Sequence, residues 1–344
     1  MRGELNMERG KTILEVRNLK THFRVGTEDI SIVRGVSFSA RQGETLAIVG
    51  ESGCGKSVTV HSVMRLLPKN GRLAGGEALF FDGDTPRELH RLEPFGKEMR
   101  AIRGRKIGMI FQDPMASLNP VYRVGDQVAE NLLQHFKLTK AEAKEKIIEM
   151  FASLGIPDPG RRILDYPHQF SGGMKQRVMI AIAMICNPDL LIADEPTTAL
   201  DVTIQAQIME LMERLKREQR KAVILITHNM GLVAETADEV AVMYMGRIVE
   251  RGRVERIFHN PSHPYTKALL RSVPVLGHGR AERLETIRGS TPSPAECVTG
   301  CEFANRCDFA TTKCKTGTIP AYEVEGGHLA RCVLFEGAKE LPNE

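Results

Sequence analysis

The chain has 344 residues, 42% hydrophobic and 26% charged, which suits one large α/β domain plus an appendage, or two modest domains, with a core that needs no staples. Its 47 basic and 43 acidic residues leave a net charge of +4, too mild and too dispersed to argue for nucleic acid as a partner. No apolar run approaches the roughly 20 residues that span a bilayer, and the polar stretch Met1–Lys11 lacks the apolar segment of a signal peptide. The expectation is a cytoplasmic chain, for which any membrane role must come through partner subunits.

Residues from about 12 to 45 read as short strands with turns. Ile13-Leu14-Glu15-Val16 starts one, and Val36-Ser37-Phe38-Ser39-Ala40 alternates apolar and polar as a half-buried strand does. After a turn at Arg41–Glu44, the continuous apolar run Thr45–Val49 predicts a strand buried on both faces. A Gly-rich loop follows, then a helix predicted over Val58–Leu67 and stopped by Pro68. Between roughly 113 and 187 the pattern turns helical: Thr139-Lys140-Ala141-Glu142 is a capping box, Ile147, Ile148, Phe151 and Leu154 share a face, and Gly155 is a C′ stop. Leu190–Ala193 and Ala222–Ile226 are two further buried strands, so the sheet is expected to be mainly parallel. After about residue 258 prolines, glycines and cysteines punctuate an irregular tail. The organisation read from this is a main domain over 12–258, with a helical subdomain inserted at about 113–187, and a Cys-rich extension over 259–344.

Gly50-x-x-x-x-Gly55-Lys56-Ser57, set between strand and helix, is the P-loop pattern. Its glycines let successive backbone N–H groups turn toward phosphate oxygens, and the helix that follows adds its positive end. Lys56 supplies a point charge for the β- and γ-phosphates, and Ser57 a hydroxyl for Mg²⁺. Asp194 closes the strand Leu190–Ala193, where a carboxylate reaches that Mg²⁺, and Glu195 beside it is placed to polarise an attacking water.

Further segments carry a resemblance. Phe170-Ser171-Gly172-Gly173-Met174-Lys175-Gln176-Arg177 resembles the signature motif of ATP-binding-cassette (ABC) ATPases, with Met174 where Gln is usual. Phe111-Gln112 resembles their Q-loop, Thr198-Ala199-Leu200-Asp201 their D-loop, and Thr227-His228 their switch histidine, all in the family's order over about residues 12–255. The resemblance implies a P-loop NTPase cassette: a mainly parallel sheet, an antiparallel β subdomain and an inserted helical subdomain. It implies that Gly50, Ser52, Gly53, Cys54, Gly55, Lys56, Ser57 and Val58 contact ATP. It also implies that Ser57, Gln112 and Asp194 serve Mg²⁺ and that Glu195, His228 and Gln112 are catalytic. Phe23 is the candidate for stacking on adenine, with a plain strand residue as the other reading. Ser171, Gly172, Gly173 and Asp201 are implied to meet ATP bound to a second ATPase subunit.

Asn260-Pro261-Ser262-His263-Pro264-Tyr265-Thr266 and Gly300-Cys301-Glu302-Phe303-Ala304-Asn305-Arg306-Cys307 look like the extension of the peptide/nickel uptake subfamily. The partners this implies are a paralogous ATPase, two transmembrane permeases and an extracytoplasmic peptide-binding protein, with this chain at the cytoplasmic face of the membrane. The segment from Met115 to Tyr122 is implied to form part of the groove for a permease helix. Cargo is left open among dipeptides, longer peptides, nickel and oligosaccharides, and a soluble non-transport ABC ATPase is the competing class. Five of the seven cysteines crowd the tail, which in a reducing compartment reads as a metal site before disulfides. A [4Fe-4S] cluster needs four thiolates. The subfamily pattern points to Cys301, Cys307, Cys314 and Cys332, with Cys297 replacing Cys332 as the alternative. Zn²⁺ is the competing metal, with His328 near Cys332.

Overall fold

The computed structural model describes residues 10–83, 85–113, 117–197, 200–272, 287–296 and 299–341. Two long strands, β1 (Thr12–Val25) and β2 (Glu28–Arg41), form an antiparallel hairpin where the sequence suggested shorter strands. The period-2 signal is interrupted because β1 carries several register shifts against β2, with Asn18 in a left-handed conformation. A bulge lets a strand continue while its side-chain alternation slips. With β4 (Gly71–Phe81) and β5 (Pro86–Glu88), these strands make a four-stranded antiparallel sheet in the order β2-β1-β4-β5.

The second sheet is larger. β3 (Thr45–Val49), β6 (Ile107–Ile110), β7 (Leu190–Asp194), β8 (Ala222–Thr227) and β9 (Glu239–Tyr244) lie parallel in the order β9-β3-β8-β7-β6. Every residue of β3, β7 and β8 is buried, as their unbroken apolar runs require. The register pairs Val49 with Thr227 and Asp194 with Ile226, so the C-terminal ends of three central strands come level at one edge. In open parallel sheets that edge is where ligands bind.

The first helix spans Lys56–Val63, shorter than the predicted Val58–Leu67. Pro68 does not set its end. Arg103 donates from Nε and Nη2 to the Met64 carbonyl at 2.9 and 2.6 Å and from Nη2 to the Arg65 carbonyl at 2.8 Å, and Arg65 turns left-handed. Tertiary capping by a residue far along the chain therefore ends it.

The helical part holds Val124–His135, Lys140–Ser153, a short turn at Pro159–Arg162, and Gly172–Met184. Ile147, Phe151 and Leu154 are buried in its core with Val128, Leu132 and Val178, while Ile148 is only partly buried. The Thr139–Glu142 capping box is present in both directions, and Gly155 has φ +68° at the C-terminal end of that helix.

Beyond residue 258 the chain is more regular than its composition suggests. β10 (Arg247–Arg253) pairs antiparallel with β9 and also with β12 (His328–Ala330); β11 (Tyr322–Glu325) and β13 (Lys339–Glu340) complete a nine-stranded sheet. The expected boundary at 258 falls inside the helix Val254–His259, and one sheet runs through both parts. The joint is polar and buried. Glu250, 1% exposed, accepts hydrogen bonds from the backbone N–H of Ser262 (2.6 Å) and His263 (2.8 Å), and its other contact is His328 Nε2 at 2.7 Å. Among the described residues no helix is long and apolar enough to cross a membrane.

Candidate nucleotide site

The loop after β3 has no room for a side chain at Gly50: φ is +151°, and a Cβ would stand 2.1 Å from the Met243 carbonyl oxygen of β9. The loop therefore lies close over the sheet edge, with Ser52 and Gly53 exposed at its tip and Cys54 buried beneath. The helix Lys56–Val63 that follows has no side-chain N-cap and no acidic residue in its first turn. Its leading N–H groups are available to an anion. Lys56, 5% exposed, donates from Nζ to the carbonyls of Gly50 (2.8 Å) and Glu51 (3.0 Å), so its ammonium is held inside the curl of the loop. Val58 packs its partly buried side chain against the core below.

Ser57 Oγ donates to Asp194 Oδ1 at 3.0 Å, the pairing expected of two hard oxygen donors for Mg²⁺. Asp194 is 2% exposed; burial pushes its carboxyl above the usual range, against the hydrogen bond from Ser57. Glu195 turns left-handed (φ +45°) with its N–H bonded to the Ile226 carbonyl, which lifts its side chain off the strand direction. Its carboxylate lies between two groups: Gln112 Nε2 donates to Oε2 at 3.1 Å, and His228 Nδ1 is 3.2 Å from Oε1. The strand ends thus bring Lys56, Ser57, Asp194, Glu195, Gln112 and His228 to one place. His61, on the helix of the loop, was not read from the sequence. It is partly buried, burial lowers its pKa while Asp194 opposes the shift, and its ring centroid is 6.3 Å from that of Phe111. A lone histidine carries no spacing signal, so only the fold reveals its position.

The remaining predicted residues lie apart. Phe23 pairs with Ile30 and Gly71, and its ring packs on Gly71 of β4; its described contacts are with its own sheet. Ser171 caps the helix Gly172–Met184 by accepting from the Met174 N–H at 3.3 Å, and Gly172 is exposed beside it. Gly173 is needed because a Cβ there would meet Ile204 Cγ2 at 2.8 Å. Asp201 caps the helix Val202–Gln219 through the Ile204 N–H at 3.0 Å. Thr198 and Ala199 lie outside the described residues, as do Met115 and Cys297.

Cys301, Cys307, Cys314 and Cys332 line one small cavity together with His263, Phe303, Phe309 and Leu334. All four are free thiols. The Phe309 N–H points to Cys307 Sγ and the Thr311 N–H to Cys314 Sγ, both at 3.4 Å, and backbone groups of Phe303 and Leu334 bond Cys301 and Cys332. Burial, with the neighbouring Cys314 and Cys332, pushes the Cys301 thiol up to about 12. His263 is pushed down to about 4 by burial; its Nδ1 accepts from the Tyr265 N–H at 3.0 Å, and its buried Nε2 has no hydrogen-bond partner. His328, considered as a zinc partner of Cys332, is instead turned to Glu250. Among the described residues no group of three or more His, Cys, Asp or Glu is set to hold a metal ion.

The family description "ABC transporter" matches residues 33–198, and "Oligopeptide/dipeptide transporter, C-terminal region" matches 249–314. A probable peptide ABC transporter ATP-binding protein of Sinorhizobium fredii is 51% identical over 322 residues, covering 93% of this chain and 94% of that protein. This chain belongs to the ABC transporter ATP-binding proteins. The ABC ATPase is also 53% identical over 330 residues to the dipeptide transport ATP-binding protein DppD of Bacillus subtilis, covering 95% of this chain and 96% of that one. A solved dimeric cassette in a post-hydrolysis state, bound to ADP and phosphate, superposes with a TM-score of 0.62 at 26% identity, over 70% of this chain and 99% of that one.

Proposed function

We propose that this chain is the ATP-hydrolysing subunit of an importer of di- or oligopeptides, working at the cytoplasmic face of the membrane with a paralogous ATPase, two permeases and an extracytoplasmic binding protein. The observation that carries the catalytic part is Glu195, held between Gln112 and His228 one residue from the Ser57–Asp194 pair. The cargo rests on the C-terminal match and on the names of the relatives.

In this reading Lys56 leaves its two carbonyl partners for the β- and γ-phosphates, while the loop N–H groups bind the rest. Ser57 and Asp194 would hold Mg²⁺, which neutralises phosphate charge; the buried carboxylate and hydroxyl fit a hard cation. Glu195 orients and polarises the water, with its oxygens aimed by Gln112 and His228. In the helical part a cleft of about 1030 Å³ is lined by Asn119, Tyr122, Gln127 and Leu133. Val121 and Tyr122 are exposed apolar residues in this region, suited to receive a permease helix. In a strain lacking this chain, wild type restores uptake of a labelled dipeptide or oligopeptide, whereas Glu195→Gln does not. Purified Glu195→Gln binds ATP as wild type does, with turnover lowered at least ~100-fold. Unchanged hydrolysis refutes the role of Glu195; uptake of nickel or an oligosaccharide alone refutes the cargo.

The tail reading adds a [4Fe-4S] cluster on Cys301, Cys307, Cys314 and Cys332. It is supported by four thiols lining one cavity, by backbone N–H groups directed at their sulfurs, and by the unpartnered His263 nitrogen in the same wall. A single Zn²⁺ needs its sulfurs within about 2.3 Å of one point, whereas a cluster takes thiolates set wider apart. Bound there, the cluster supplies a covalent clip for the tail. Anaerobically purified protein is expected to carry iron and sulfide in equal amounts; colourless protein with one zinc overturns the assignment.

A further inference from the structure

Glu51 places a carboxylate inside a loop that receives phosphates, and residues beyond position 259 hold it. Arg306 binds it with both nitrogens, Nη1 to Oε2 at 2.7 Å and Nη2 to Oε1 at 3.1 Å. Thr291 Oγ1 donates to Oε2 at 2.6 Å, and the Glu51 N–H donates to Tyr265 Oη at 2.9 Å. Burial alone would raise the Glu51 carboxyl, but the hydrogen bonds from Arg306 and Thr291 outweigh it and hold the group ionised, below the usual range. Arg306 is itself fixed. Its side chain is 6% exposed, its Nη1 bonds Tyr244 Oη at 3.2 Å, its Nε donates to the Arg288 carbonyl at 2.8 Å, and its guanidinium lies 5.8 Å from the ring centres of Tyr244 and Phe303. It closes the turn Ala304–Arg306, directly before Cys307.

We propose that Arg306 is a positioning residue for nucleotide binding: it neutralises and anchors Glu51, so that the phosphate loop presents N–H groups rather than a free carboxylate to the triphosphate, and the Cys-rich segment becomes part of the nucleotide site. This rests on the reading that Gly50–Ser57 holds the phosphates. A free anion a few ångströms from a triphosphate repels it through the poorly screened loop. A bidentate arginine removes that charge and fixes the geometry together, which a lysine does less well.

The test is MgATP affinity of the full-length chain, with Lys56→Ala as the control. Arg306→Met is expected to weaken binding about ten-fold, since it strands a partly buried carboxylate beside the phosphates. Glu51→Gln alone is expected to bind within about two-fold of wild type, and the Glu51→Gln/Arg306→Met pair to recover most of the loss. Rescue on removing the second charge separates this role from simple docking of the tail, in which both single variants lose affinity and the pair is no better. Unchanged affinity in Arg306→Met, or loss in Glu51→Gln, overturns the proposal. Should Arg306→Met not fold, Glu51→Gln alone still decides, because docking and neutralisation predict opposite results for it. Lys56→Ala binding like wild type would instead overturn the phosphate-loop reading itself.

Discussion

At the scale of single residues, Asp194 shows the cost of burying a carboxylate. Its carboxyl is buried, with one hydroxyl donor to offset the lost solvation. Because its folded pKa is raised by burial, the protonated form is favoured in the folded state. The linked stabilisation is fully present below the unfolded value of about 3.9 and is lost as pH rises through the folded value. Without Mg²⁺ the folded chain therefore disfavours the ionised form of this desolvated carboxylate. Asp194→Asn should stabilise the nucleotide-free protein by about 1 kcal/mol, raising Tm by ~2–4 °C at pH 7 in chelator, while abolishing Mg²⁺-dependent turnover. The gain should shrink as the pH is lowered and the wild-type carboxyl takes up its proton; a thermal melt series across pH checks both. The residues legible in the sequence were those in ordered motifs: Lys56, Ser57, Gln112, Glu195 and His228 each stand at a fixed offset from a glycine or a strand end. Tyr265 and Glu51 belong to segments the sequence singled out, yet the bond between them was not readable. Arg306 lies 255 positions from its partner, and no local spacing encodes such a pair.

At the scale of elements, legibility followed burial on both faces. β3, β7 and β8 are continuous apolar runs, and each was bounded to within a residue. β6 is as buried, but four residues are too few to separate a strand from a helix turn. β1 and β2 were read as fragments because bulges break their alternation while the backbone ladder persists. The tail was read as irregular for a different reason: β11, β12 and β13 are two to four residues long and are strands only because β10 offers an edge. Their docking depends on Glu250, whose carboxylate accepts two backbone N–H groups, contacts His328 and has no exposed surface left to lose. That same segment supplies Tyr265 to the Glu51 backbone and His263 to the cysteine cavity. One segment, Ser262–Tyr265, which leads into the helix Pro264–Arg271, therefore ties the phosphate loop, the sheet edge and the thiols together.

At the scale of the whole molecule, the proposed function makes the Glu195 cluster half of a site. Ser171 makes its described bonds within its own helix, to the Met174 and Lys175 N–H groups, and neither it nor Gly172 is buried. The helix it caps has no acidic residue in its first turn, so the positive end of its dipole is uncompensated there. The family expectation that it meets ATP on a second ATPase fits this outward placement, and the solved cassette it superposes on is dimeric. If so, a bulky cation at Ser171 blocks assembly without touching this chain's own phosphate loop. Ser171→Arg should bind MgATP within about two-fold of wild type, because Lys56, Ser57 and Asp194 are untouched, yet lose turnover by ~100-fold or more. Assembly gives the sharper readout. With ATP and the partner ATPase, Glu195→Gln should elute as a closed pair, trapped because turnover no longer reopens it. Glu195→Gln/Ser171→Arg should elute as separate chains under the same conditions, since one of the two nucleotides would lack its Ser-Gly-Gly cover. A double variant that still elutes as the pair, with ATP retained at both sites, would mean that Ser171 does not meet the nucleotide of the opposite subunit.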